Sequence, residues 1–152
     1  MKRTLVAIVA ALGALSALPA AAQFQKPEDA VKYRKAGFTM MAAHFGRVGA
    51  MVAGRVPFDA AAAASNAEIA AYLSKLPYAG FVPDTGGTEK GAPNAKVWSE
   101  HAKFEEGAKK LQDDLAKLAA AAKTATNVDG IKAAFGEAAK DCKGCHDNYR
   151  NP

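Results

Sequence analysis

Ile131-Lys-Ala-Ala-Phe135-Gly-Glu-Ala138-Ala-Lys-Asp-Cys142-Lys-Gly-Cys145-His146-Asp-Asn-Tyr149 is the stretch on which the fold turns. Ile131, Phe135, Ala138, Cys142, Cys145 and Tyr149 recur at alternating steps of four and three, one stripe of an α-helix. Asn127 marks its start. The chain therefore ends in an amphipathic helix whose inner face carries two cysteines. On that helix Cys145 lies about 60° around from Cys142, and His146 about 40° to the other side, so all three share one turn. Cys-x-x-Cys-His is the spacing of covalent c-type haem attachment. Two thiols placed this way add to the two vinyl groups on one porphyrin edge, while the imidazole reaches the iron. Small Gly144 keeps that turn free of bulk. A disulfide between the cysteines leaves His146 without a role. A thioredoxin-like pair needs a βαβ pattern, which is missing. Closed zinc needs four ligands, and only His44 and His101 stand as candidates to complete the set.

Working outward, the remaining sequence reads as further helices and no strands. Pro27 suits a first helical turn, with Glu28 and Asp29 favourable beside it. Val31, Arg34, Phe38, Met41, Phe45, Val48 and Val52 then form a seam ending near Ala53 and Gly54. Arg34 is the only charge on that seam. It either snorkels to water or faces a haem propionate, where a guanidinium fork suits a carboxylate. A second helix, capped by Asp59, runs to about Leu76 and is expected to bury Ile69, Tyr72, Leu73 and Leu76. Its Ala60 to Ala64 run suits a close helix or subunit contact, or plain helix propensity. Residues 77–93 form the one long connection, with Tyr78 and Phe81 expected back on the core. Asn94 is read as the cap of one long third helix, whose seam is Val97, His101, Phe104, Ala108, Leu111, Leu115, Leu118 and Ala122. His101 is there an iron-ligand candidate or a core-edge residue, and His44 belongs to the surface or a contact. Helices with such seams pack as a bundle, and bundle cores hold cofactors. Phe38, Phe45, Phe104 and Phe135 are then core residues, some of them also touching the haem.

Composition bounds the class. Lys2 and Arg3, the apolar run Leu5 to Leu18 and Ala20-Ala21-Ala22 have the anatomy of a secretory signal peptide over residues 1–22, leaving a domain over 23–152. The mature chain would hold 18 basic and 15 acidic residues, a net +3. That is too weak for a nucleic-acid surface, and no later run approaches a membrane span. Export to the bacterial periplasm fits the motif, since c-type haem is attached after translocation.

With Gln-Phe-Gln-Lys-Pro-Glu-Asp-Ala-Val-Lys-Tyr-Arg at 23–34 and Cys-Lys-Gly-Cys-His-Asp-Asn-Tyr-Arg at 142–150, the mature sequence resembles cytochrome c′, the high-spin class II c-type cytochrome. The C-terminal place of the haem motif is part of that likeness. The resemblance implies an all-α, antiparallel up-down-up-down four-helix bundle with one haem c in its core, tethered by Cys142 and Cys145. It further implies a homodimer through the first two helices, and pentacoordinate iron with His146 as sole protein axial ligand. Phe38 falls at the side chain that blocks the apolar distal face, Arg34 near the propionates and Arg150 over the proximal face beside His146. Phe104 is expected against the cofactor. Family members bind nitric oxide and carbon monoxide. Low-spin relatives place a methionine at or near the position of Phe38; Met41, one turn further on, keeps a Met/His-ligated one-electron carrier as the rival reading. Redox protein partners go with either reading. A distal face of this kind rejects polar ligands, because no hydrogen-bond donor steadies them. A peroxidase-like enzyme lacks support, since the first-helix seam offers no distal acid-base pair beyond Arg34.

Overall fold

The computed structural model describes residues 23–152, so the leader expected over residues 1–22 lies outside the described residues. Five α-helices follow in order: α1 Pro27–Val52, α2 Ala60–Leu73, α3 Lys96–Ser99, α4 His101–Thr124 and α5 Asp129–Tyr149. A 3-10 turn, Pro77–Gly80, lies between α2 and α3. The four long helices pack as a bundle: α1 on α2, α2 on α4, α4 on α5, with α5 closing back on α1. No described helix is long and apolar enough to cross a membrane.

α1 starts at Pro27 with Glu28 and Asp29 in its first turn, as the sequence reading expects. Its buried face runs through Ala30, Arg34, Met41, Val48, Gly49 and Met51. Gly49 is needed for close approach: a Cβ there would stand 2.8 Å from Cζ of Phe135. That contact lets Phe45 and Phe135 stack with centroids 4.4 Å apart and planes 11° from parallel. At α2 the Asp59 carboxylate accepts from the amide of Ala62 at 2.9 Å. α4 and α5 are tied by Lys110, whose Nζ donates to Asp114 at 2.8 Å and to Asp141 at 2.6 Å.

Two expectations are corrected. α2 stops at Leu73, and its buried stripe is Ala63, Ala67, Ala70 and Leu73. These small residues bring the helix close to its neighbours and leave Ile69 and Tyr72 on its outer face, 36% and 65% exposed. The single helix read from Asn94 onward is two. Asn94 does accept from the amide of Lys96, at 2.9 Å, but Glu100 adopts φ −119° and ψ 36° and breaks the helical phase. The step of four from Val97 to His101 therefore no longer keeps one face. Val97 is fully buried, whereas His101 points out to pair with Glu105 at 3.2 Å. The C-terminus is paired with residues 91–94. The amide of Asn151 donates to Ala92 O at 2.8 Å, and the amides of Gly91 and Asn94 donate to Asn151 O and Tyr149 O, each at 3.0 Å. This forms an isolated bridge between Pro93 and Arg150.

Candidate functional site

α5 delivers Cys142, Cys145 and His146 to one wall of a cavity of about 810 Å³. Pockets of several hundred Å³ with mainly apolar walls hold cofactor-sized ligands. Both cysteines are free thiols and partly buried. Burial, with the Asp141 carboxylate beside it, pushes the Cys142 thiol up to about 11, and burial raises Cys145 as well. Partial burial and the nearby Arg150 guanidinium hold the His146 imidazole below its ordinary range, with Asp147 opposing. That direction favours the neutral ring, which is the metal-ligating form. Asp147 itself is engaged by Lys143.

The donor set fits haem c. Two thiols and an imidazole converge on one turn, and the space in front of them is walled by apolar and aromatic side chains. The zinc reading loses its footing. His44 is turned to Asn66 Oδ1 at 2.8 Å on α2 and His101 to Glu105, so neither can join the cysteines. The described residues hold no cluster of three or more His, Cys, Asp or Glu side chains placed for a metal ion.

Phe38, Met41 and Phe104 all line the same cavity. Phe38 is half-buried and meets Tyr78 edge-on at 5.7 Å and Phe81 at 6.1 Å. Met41 is 7% exposed and packs with the core, while Met40 is turned outward. Phe104 sits between Phe81, at 4.8 Å, and Tyr149, at 5.3 Å.

Arg34 lines the cavity too, but it does not snorkel: it is 3% exposed. Its Nη1 donates to Gly80 O at 2.9 Å and to Thr85 Oγ1 at 2.6 Å, and Nη2 donates to Thr85 O. The guanidinium carbon also lies 4.8 Å over the Phe81 ring. Burial lowers its proton affinity, partly offset by the Glu89 carboxylate. The side chain thus anchors the 77–93 connection at the cavity edge, leaving part of its fork unspent. Gly80 is the second requirement, because a Cβ there would be 2.6 Å from Ala30 O and 2.8 Å from Cβ of Arg34. Arg150, at the end of α5, donates from Nε to Gly91 O at 3.1 Å.

Sequence reasoning missed two contributions. Residues 89–93 line the cavity mouth, which follows from their pairing with the C-terminus and has no local signal. Tyr78 was expected only in the core, yet it lines the cavity as well. A phenol in a proline- and glycine-rich connection was the one available hint.

Comparison with known proteins accords with this geometry. The family model described as Cytochrome C' matches residues 29–150. The chain is 50% identical over 131 residues to cytochrome c′ from Rubrivivax gelatinosus, covering 84% of this chain and 98% of that one. It is 48% identical over 128 residues to cytochrome c′ from Alcaligenes xylosoxydans xylosoxydans, again 84% and 98% covered. Among solved structures, a nitric oxide complex of a variant cytochrome c prime from Alcaligenes xylosoxidans superposes with a TM-score of 0.77. It shares 44% identity over 86% of this chain and 99% of that one.

Proposed function

The chain belongs to the cytochrome c′ family and binds haem c, and from that premise we propose that it is a periplasmic haem protein that takes up nitric oxide and carbon monoxide. When bound, the haem supplies an iron able to accept a small ligand or one electron. Cys142 and Cys145 hold the ring, and His146 is the sole protein ligand to the iron. Phe38 crowds the opposite side, so that only small neutral ligands enter as its ring swings away from Tyr78 and Phe81. Arg34 and Arg150 set charge at the cavity wall. No step of a chemical conversion is assigned to these residues; the protein binds and releases, and passes electrons to redox partners. The observation that carries the reading is the aromatic cavity wall, to which Phe38 contributes a side chain unable to ligate iron. The nitric oxide complex of a relative supports it.

Residues 1–22 act as a cleaved export leader, and 23–152 form the mature domain. Two copies associate through α1 and α2, whose outer faces expose Met40, Ile69 and Tyr72.

The absorption spectrum of the reduced protein tests the reading. High-spin bands that shift when nitric oxide is added are the expected result. Split, sharp low-spin bands unmoved by the gas would establish the Met41-ligated electron carrier instead, a reading that Met41 sustains by lining the same cavity.

A further inference from the structure

The open side of the cavity is not without a hydrogen-bond donor. The 3-10 turn Pro77–Gly80 carries the Tyr78 phenol into the cavity from the α1 side. Its ring is fixed by three neighbours: Phe38 edge-on at 5.7 Å, Phe104 at 5.8 Å and Phe81 nearly parallel at 6.2 Å. Arg34 in turn fixes the turn itself, through Gly80 O. Burial is the main cause that raises the proton affinity of the phenol. The hydroxyl therefore keeps its hydrogen throughout the neutral and moderately alkaline range. Tyr78 is half-buried and lines the cavity, and its hydroxyl is not among the fully buried polar atoms without a partner. A tyrosine hydroxyl at an apolar cavity wall ordinarily takes an acceptor where one is offered. Here the acceptor is left to whatever occupies the cavity.

We propose that Tyr78 is a specificity-determining residue whose hydroxyl donates, from the Phe38 side of the cavity, to the outer atom of the small ligand held there. Phe38 sets the size that is admitted, and Tyr78 favours ligands with an acceptor at their far end over purely apolar ones. The site thereby holds polar diatomics better than an all-hydrocarbon pocket would. This rests on the gas-binding reading above.

Tyr78→Phe keeps the ring and its three aromatic neighbours and removes one oxygen. The test uses the haem-loaded, reduced protein under carbon monoxide. A donor to the ligand oxygen draws electron density toward it and weakens the C–O bond, so its loss moves the C–O stretching band to higher wavenumber. The gas should also leave about two- to tenfold faster, the effect of one net hydrogen bond. The unmodified protein is compared in H₂O and D₂O as well, where exchange of the phenol hydrogen shifts the same band. That second measurement decides the matter even if the variant folds poorly. Identical bands and rates in the two proteins, with no solvent isotope shift, would overturn the role of Tyr78 and leave gas binding intact. Reduced, haem-loaded protein that takes up no carbon monoxide would instead overturn the gas-binding reading, and this proposal with it.

Discussion

Arg34 on α1 and Thr85 in the 77–93 connection are locked together across 51 residues of sequence, Nη1 donating to Oγ1 at 2.6 Å and Nη2 to the Thr85 carbonyl. Thr85 is 4% exposed and its hydroxyl donates onward to Val82 O at 2.6 Å. A buried guanidinium is satisfied only while these acceptors stay in place. The connection, with Tyr78 and Phe81 on it, is therefore held by a side chain from the cavity wall itself.

Thr85→Val tests that lock. It keeps the shape, removes the hydroxyl and strands one Nη1 hydrogen inside the protein. The expected cost is about 1.5–3 kcal/mol, the range for hydrogen bonds to charged groups. Urea unfolding of the haem-loaded protein measures it, with Thr85→Ser as the variant that keeps the bond. Equal midpoints for all three proteins would mean that Arg34 does not depend on Thr85.

The Asp114 carboxylate gives a pH dependence. Lys110 at 2.8 Å and Lys117 at 2.5 Å donate to it and hold its proton affinity well below the usual carboxylate range. A depressed folded-state value means that the contribution is complete above the unfolded value, about pH 4, and drains away as the pH falls toward the folded one. The unmodified protein should exceed Asp114→Asn in stability at neutral pH, and the gap should shrink in acid. Chemical unfolding at a series of pH values checks this; a gap that widens on acidification would reverse the sign of the argument.

Cys142→Ala removes one of the two thiols on the α5 face. Haem should then hang on Cys145 alone, with one vinyl group unconsumed and a displaced reduced-state absorption band, or maturation should drop. Acidic organic solvent should extract no haem from the unmodified protein, which has both tethers. Two consumed vinyl groups in the variant would exclude Cys142 as a point of attachment.

Phe38→Ala should speed carbon monoxide binding and raise its affinity. Moving Phe38 aside breaks edge contacts with Tyr78 and Phe81. Each such contact contributes roughly 0.5–1.5 kcal/mol, so their removal predicts a gain of roughly five- to hundredfold in rate. Flash photolysis measures that rate. Unchanged kinetics would take Phe38 out of the path by which the gas enters.

By itself the sequence determined the bundle, the haem-bearing face and the cap at Asp59. Each is recorded locally, in the 4-3 spacing of apolar residues on α1 and α5, in the five residues from Cys142 to His146, and in a carboxylate three residues before the amide it accepts from. Tertiary structure alone decided the rest. It broke the helical phase at Glu100, turned Ile69 and Tyr72 outward and spent Arg34 on Thr85. It also paired residues 91–94 with 149–151 and brought the Tyr78 hydroxyl to the cavity. The reason is physical. Periodicity states which side of a helix is apolar, but which neighbour covers it depends on how closely the backbones approach. Where a buried polar group finds its partner depends on segments distant in the chain, and their spacing leaves no trace in any local pattern.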